Sequence, residues 1–229
     1  MIPPHTNACE AGSAPSKPKS LPARLMAPLN DNFGQPRGLL GRLAGWIMAR
    51  ENVRVNRLVV ELLGIRAEDR VLEIGCGPGV ALAEAASRAS RGFVAGTDPS
   101  PVMVAQARRR CRAAIAVRRA EVRQAPAAAL PYPEVSFTRA FSVNALPHWP
   151  SAREGLAELH RVLRPDARVV VALRKQRQSA GVDPHAHGAT AEQVASLCAL
   201  LEELGYRDVE ASDHELGRET LVTINASAG

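Results

Sequence analysis

Aromatic side chains are scarce in this 229-residue chain, which has two Trp, two Tyr and four Phe. So small a supply leaves little from which to build the base-stacking platforms of single-strand nucleic-acid binders. Cysteine is scarce too. Cys9, Cys76, Cys111 and Cys198 are scattered, with no C-x-x-C pair and no histidine at zinc-finger spacing, so neither a disulfide framework nor a zinc site is expected. No apolar run approaches the roughly 20 residues that span a bilayer. The densest stretch, Arg168 to Leu173, has strand length. The opening residues lack the basic start and apolar core of a secretory leader, and no acylation motif follows, so the expected setting is the cytoplasm. What is present is ordinary globular material: 46% apolar and 23% charged residues, in a length that suits one α/β domain with a sizeable core.

The net charge of +6 is local. Between Pro101 and Ala125 lie Arg108, Arg109, Arg110, Arg112, Arg118, Arg119 and Arg123 against a single acid, Glu121. Met103, Ala107, Cys111, Ala114 and Ile115 recur at helical spacing in this segment and leave most of the arginines facing water. A solvated helix face is the plain reading of such a run. A patch for RNA or an acidic partner is the alternative.

Residues 1–36 hold seven of the 17 prolines with little periodicity, and are expected to form a flexible arm. Residues 37–229 then form the folded domain. From Gly38 to Leu63 the apolar residues repeat at three and four, which predicts two helices, with Gly64 placed as a C-cap. Beyond them strand and helix signals alternate. Strands are expected at Val71–Ile74, Gly92–Thr97, Ala120–Gln124, Arg139–Ser142, Arg168–Leu173, Asp208–Ser212 and Leu221–Ile224. Helices are expected at Val80–Ala89, Pro101 to about Ile115, Ser151–Leu163 and Ala191–Leu204, the last opened by a Thr190/Gln193 capping box. This is the pattern of a Rossmann-like, doubly wound, seven-stranded sheet, mostly parallel, with helices on both faces and an antiparallel C-terminal hairpin.

The most informative segment is Val71-Leu-Glu-Ile-Gly-Cys-Gly-Pro-Gly79. A short apolar strand runs into three glycines and then a helix, a turn that lets backbone amides approach a ligand closely. The spacing is G-x-G-x-G, whereas a dinucleotide fingerprint is G-x-G-x-x-G, which argues against NAD. Asp98 closes the second strand 19 residues beyond Gly79, where a carboxylate can accept bonds from both hydroxyls of a ribose. The competing reading of Asp98 is a turn or cap, since Asp-Pro-Ser-Pro also starts a helix. Cys76 reads most simply as a small loop filler.

Taken together, these residues resemble the class I S-adenosylmethionine-dependent methyltransferases. LEIGCGPG is similar to that family's first motif and GTDPSPVMVAQARRR to its second. Phe141 to Trp149 resembles the motif after the fourth strand, and Leu156 to Pro165 the helix that follows. The likeness extends from about Asn56 to Ile224 and is nearest to the ubiquinone/menaquinone C-methyltransferase-like group. It implies S-adenosylmethionine as cofactor and a small-molecule acceptor; the scarcity of aromatics makes nucleic acid the less favoured partner, and no metal is expected. By the same resemblance, Gly75, Cys76, Gly77 and Gly79 would wrap the methionine and ribose of the cofactor, with Glu73 holding the loop and the amino group. Asp98 would bind the ribose diol, Pro99 would lie along the adenine, and Asn144 would sit beside the methionine near the transferred methyl.

Three positions depart from the family's habits. The usual Gly-Asp-Ala after the third strand is Gln124-Ala125-Pro126-Ala127 here, so a carboxylate contact to the adenine is missing. Its loss costs one or two kcal/mol, roughly tenfold in affinity, unless a backbone amide such as that of Ala127 substitutes. Phe137-Thr138 stands where Phe-Asp is usual, and Pro165-Asp166-Ala167 where Pro-Gly-Gly is usual, a change an ordinary type I turn would accommodate. These losses keep a catalytically lapsed, regulatory relative as an alternative to the enzyme, and the arginine run keeps an RNA methyltransferase.

Methyl transfer from a sulfonium needs chiefly an acceptor held in line within a dry pocket. If the acceptor carries a proton, His148 is the candidate base; its plain reading is a loop histidine packed beside Trp149. His185 and His187 form an H-A-H pair without a third ligand. Leu39–Met48 and the loops at Pro147–Pro150 and Gln176–His187 are the segments left to cover an acceptor.

Overall fold

The computed structural model describes residues 53–176, 188–217 and 219–229. The expected arm, the Leu39–Met48 helix and the H-A-H pair lie outside them. The described chain runs α1 (Val53–Leu63), β1 (Arg70–Ile74), α2 (Val80–Arg88), β2 (Phe93–Asp98), α3 (Pro101–Arg110), α4 (Arg112–Ala116), β3 (Ala120–Gln124), β4 (Phe137–Val143), a 3₁₀ turn (Leu146–His148), α5 (Ala152–Val162), β5 (Leu163–Arg174), α6 (Ala191–Glu203), β6 (Tyr206–Leu216) and β7 (Glu219–Ala228). The seven strands form one sheet in the order β3-β2-β1-β4-β5-β7-β6. The first five are parallel, and β7 pairs antiparallel with both β5 and β6.

Alternation along the strands sends side chains into two cores. Leu72, Ile74, Ala95, Phe137, Val169 and Val171 face the layer of α5 and α6, where Leu156, Leu159 and Leu201 meet them. Val71, Val94, Val122, Phe141 and Val170 face α1, α2 and α3, against Val59, Leu82 and Ala107. Burial of each large side chain stabilises the fold by roughly 1.5–3 kcal/mol. α1 shows how the pattern works: Val55, Val59 and Leu63, spaced at four, are buried, and Gly64 ends the helix at φ 60°.

The sheet, its strand directions and the Thr190/Gln193 capping box match expectation, while several boundaries differ for physical reasons. The helix expected over Pro101–Ile115 is broken at Cys111, whose ψ is 11° and whose side chain is buried. Arg108 and Arg112 would be like-charged neighbours one turn apart in a continuous helix, and the break lets α4 turn along β3. β6 and β7 are about twice their expected length. β6 is an edge strand with a polar, exposed face, so it carries no apolar run for a sequence reading to find. Pro165-Asp166-Ala167 is not an ordinary type I turn, because Asp166 adopts φ 61°, the left-handed backbone that Asp tolerates better than most residues. Its carboxylate pairs with Arg207 at 2.6 Å.

Thr138 stands where aspartate was expected, and a carboxylate is present all the same. Asp69, just before β1, accepts from the Thr138 hydroxyl at 2.8 Å and from the Arg66 backbone N–H at 2.7 Å. The Thr138 oxygen in turn accepts from the Arg70 N–H at 3.0 Å.

Candidate functional site

β1 delivers the chain to the glycine loop at the carboxyl end of the sheet, beside the exit of β2. The Gly75 and Cys76 amides both donate to the Thr97 carbonyl, at 2.8 and 2.9 Å, and the Gly79 amide donates to the Cys76 carbonyl at 2.9 Å. All three glycines take left-handed backbone, with φ of 73°, 49° and 76°. Their surroundings differ. A Cβ on Gly75 would lie 2.2 Å from that of Ala145, and one on Gly79 would lie 2.8 Å from Ala107 of α3, whereas one on Gly77 would meet no atom within 4 Å. Gly75 and Gly79 are therefore required by packing. Gly77 borders open space, a cradle that a ligand can fill.

Asp98 ties this loop to the next helix. Its Oδ2 accepts from the Gly77 amide at 2.9 Å, and its Oδ1 accepts from the Ser100 amide at 2.9 Å. Ser100, not Asp98, is the N-cap of α3, accepting from Met103 N, with Pro101 in the first turn. Each Asp98 oxygen keeps a further lone pair. Burial raises the Asp98 pKa from its ordinary value, outweighing the two amide bonds that favour the anion.

Glu73 lies on the same face of β1 as Val71 and is 3% exposed, with Oε2 lacking any hydrogen-bond partner. Burial and the Asp98 charge push its pKa well up. Cys76 points inward rather than toward the open side: its sulfur is 3.2 Å from where a Gly96 Cβ would be, and burial raises its thiol pKa.

The remaining candidates are distributed around this loop. Pro99 is exposed, and its carbonyl accepts from the Gln124 side chain at 3.1 Å. The Ala125 amide donates to the Asp98 carbonyl at 3.2 Å, which brings the segment after β3 alongside. Ala127 is buried against Gly155 of α5. Asn144, at φ 53°, spends its side-chain oxygen on the Arg174 amide at 2.7 Å and so fastens the exit of β4 to that of β5. Its neighbour Ala145 is the residue that backs Gly75. His148 ends the 3₁₀ turn and is exposed to solvent, while the desolvation that remains pushes its pKa down. Its imidazole makes no hydrogen bond to a described residue.

Sequence reasoning missed Ala145 and Gly96. Ala145 acts through contact with a residue 70 positions away, and Gly96 makes room for Leu82 and Cys76; the only signal for the latter was a glycine in mid-strand. The arginine run lines a separate open groove formed by Arg108, Arg112, Ile115, Ala116, Glu121, Val122 and Arg123. No residue of the glycine loop borders it. Among the described residues no group of acids, cysteines and histidines could hold a metal ion, and no helix is long and apolar enough to cross a membrane.

The orphaned Glu73 oxygen, the open side of Gly77 and the spare Asp98 lone pairs fit a cofactor with an ammonium group and a ribose diol. Comparison with known proteins agrees. A family model described as a methyltransferase domain matches residues 71–166. An uncharacterized methyltransferase of Bacillus subtilis, YdaC, is 26% identical over 80% of this chain and 97% of its own length. A demethylmenaquinone methyltransferase of Thermus thermophilus is 34% identical, over 52% of this chain and only 54% of its own length. A crystal structure of a SAM-dependent methyltransferase from Aquifex aeolicus superposes with a TM-score of 0.64 at 18% identity, covering 92% of this chain and all of that one. Residues 71–166 thus form a methyltransferase domain on a Rossmann-like fold, and S-adenosylmethionine is the cofactor that its site fits.

Proposed function

We propose that this enzyme transfers the methyl group to a small-molecule acceptor bound over the carboxyl ends of β1 and β4. The observation that carries the reading is the glycine loop, closed by packing at Gly75 and Gly79 and open only at Gly77. In this reading the amides of Gly75 to Gly79 line the cofactor, Glu73 faces its amino group, and the two Asp98 oxygens accept from the ribose hydroxyls through their remaining lone pairs. Pro99 and Ala127 flank the adenine, with the Ala127 amide standing in for the missing carboxylate. Asn144 sets the Ala145 wall behind Gly75 on the methionine side.

When bound, the cofactor supplies an electrophilic methyl on a sulfonium. The protein's part is to hold an acceptor in line with it and keep water out. For an acceptor with a proton to lose, His148 is the base, and its lowered pKa keeps it neutral and able to accept at physiological pH. The Thermus relative's name supports a small-molecule acceptor, as does an arginine groove bordered by no residue of the glycine loop. The test is calorimetric titration with S-adenosylmethionine of wild type, Asp98→Ala and Gly77→Val. Micromolar binding by wild type and a loss of at least tenfold in both variants are expected, followed by a screen of small acceptors with labelled methyl. Absence of binding by folded wild type would sink the reading.

A further inference from the structure

Two buried carboxylates share the floor of the site. Asp98 receives an amide hydrogen bond on each oxygen. Glu73 is the more deeply buried of the two, and one of its oxygens receives none. The groups that face Glu73 are the Asp98 carboxylate from β2, the Cys76 thiol from the loop, the Cys111 thiol from the end of α3, and the Leu82 amide in the first turn of α2. The rest of that layer is apolar: Val71, Val104, Ala107 and Phe141. Among the described residues no cation stands with them, and a buried charge without a partner is the least stable arrangement available to a carboxylate.

Resting on the cofactor reading above, we propose that Glu73 carries the proton of the Glu73–Asp98 pair in the cofactor-free protein, and that binding of the positively charged methionine moiety expels that proton to solvent. The balance is simple. The Glu73 carboxylic acid loses one proton to the buffer, and the carboxylate left behind is paired with the ligand's ammonium. Asp98, the less buried of the two and bonded to an amide on each oxygen, is the ionised member of the pair in this scheme. Cofactor affinity therefore rises with pH, and Glu73 makes the site selective for a cation at the methionine end.

The experiment is calorimetric titration with S-adenosylmethionine at pH 6.5 in buffers of different ionisation enthalpy, at a pH where an ordinary α-amino group is almost fully protonated. The slope of observed heat against buffer enthalpy counts protons released. Wild type is expected to release between about one half and one proton, and Glu73→Gln, which mimics the neutral acid, close to none. A second measurement needs no variant: the wild-type dissociation constant is expected to tighten up to about tenfold per pH unit between pH 6 and 7.5. Wild-type binding without proton release, an equal release from Glu73→Gln, or an affinity flat with pH would each overturn the proposal while leaving the cofactor reading intact. No binding heat in any buffer would overturn both.

Discussion

Asp69 and Glu73 lie four residues apart on one short stretch of chain, both buried, at 8% and 3% exposure, and they are treated in opposite ways. At the amino end of β1, Asp69 is met by the Arg66 amide, the Thr138 hydroxyl and, at 3.7 Å, the Arg139 guanidinium. At the carboxyl end, Glu73 is left with an unpartnered oxygen and a neighbouring negative charge. A satisfied buried acid holds the fold together. An unsatisfied one is a liability in the empty protein, and it sits where the strands of an open α/β sheet present their ligand site. The two ends of β1 thus separate stability from function within five residues.

Substitutions can break this contrast from either side. Asp69→Ala removes the acceptor of two hydrogen bonds and strands the Arg139 charge, so a loss of about 3 kcal/mol is expected in urea unfolding, with cofactor affinity of the folded fraction unchanged within twofold. Glu73→Gln is the mirror case. Stability measured the same way is expected to stay within about 1 kcal/mol of wild type, since a neutral amide suits a site without a cation, while S-adenosylmethionine affinity falls about tenfold. Thr138→Val, which leaves Asp69 one donor short, is expected to cost about 1–2 kcal/mol and to act only at the structural end; a larger effect on cofactor binding than on unfolding would refute the division.

The smallest effect is in the pH dependence of the cofactor-free protein. The folded-state pKa of Glu73 lies above its unfolded value, so its contribution to stability is fully present below the ordinary glutamate pKa of roughly 4.3. That contribution is lost as pH rises through the folded value. Melting curves across this window are expected to show wild type and Glu73→Gln alike in acid, with the variant gaining by a few degrees as pH rises. Parallel curves would mean that the Glu73 end is no different from the Asp69 end.

The sequence shows the site where its parts are contiguous. Val71 to Gly79 and Asp98 announce a strand, a glycine loop and an acid at a readable separation, and strand order follows from the alternation of helix and strand signals. What is hidden depends on residues far apart in the chain. Nothing near Gly75 says that Ala145 will press against it, nothing near Thr138 says that its carboxylate comes from Asp69, and the break at Cys111 goes with burial of its side chain in the core, which no local propensity encodes. Asn144 was legible as a residue near the site but not as the tie between the β4 and β5 exits, because the Arg174 amide that it binds belongs to the next strand.

β7 follows β6 in the chain yet lies between β5 and β6 in the sheet, and this sets a timetable. As the chain emerges from the ribosome, β6 appears before the one strand it pairs with, and β5 waits with its backbone edge open beside Val169, Val170 and Val171. For that interval the growing chain displays an unpaired, apolar strand of the kind that seeks other chains. The acids that β6 carries on both of its faces, Asp208, Glu210, Asp213 and Glu215, repel like copies while it lasts, so the residues least involved in the chemistry serve as gatekeepers during synthesis.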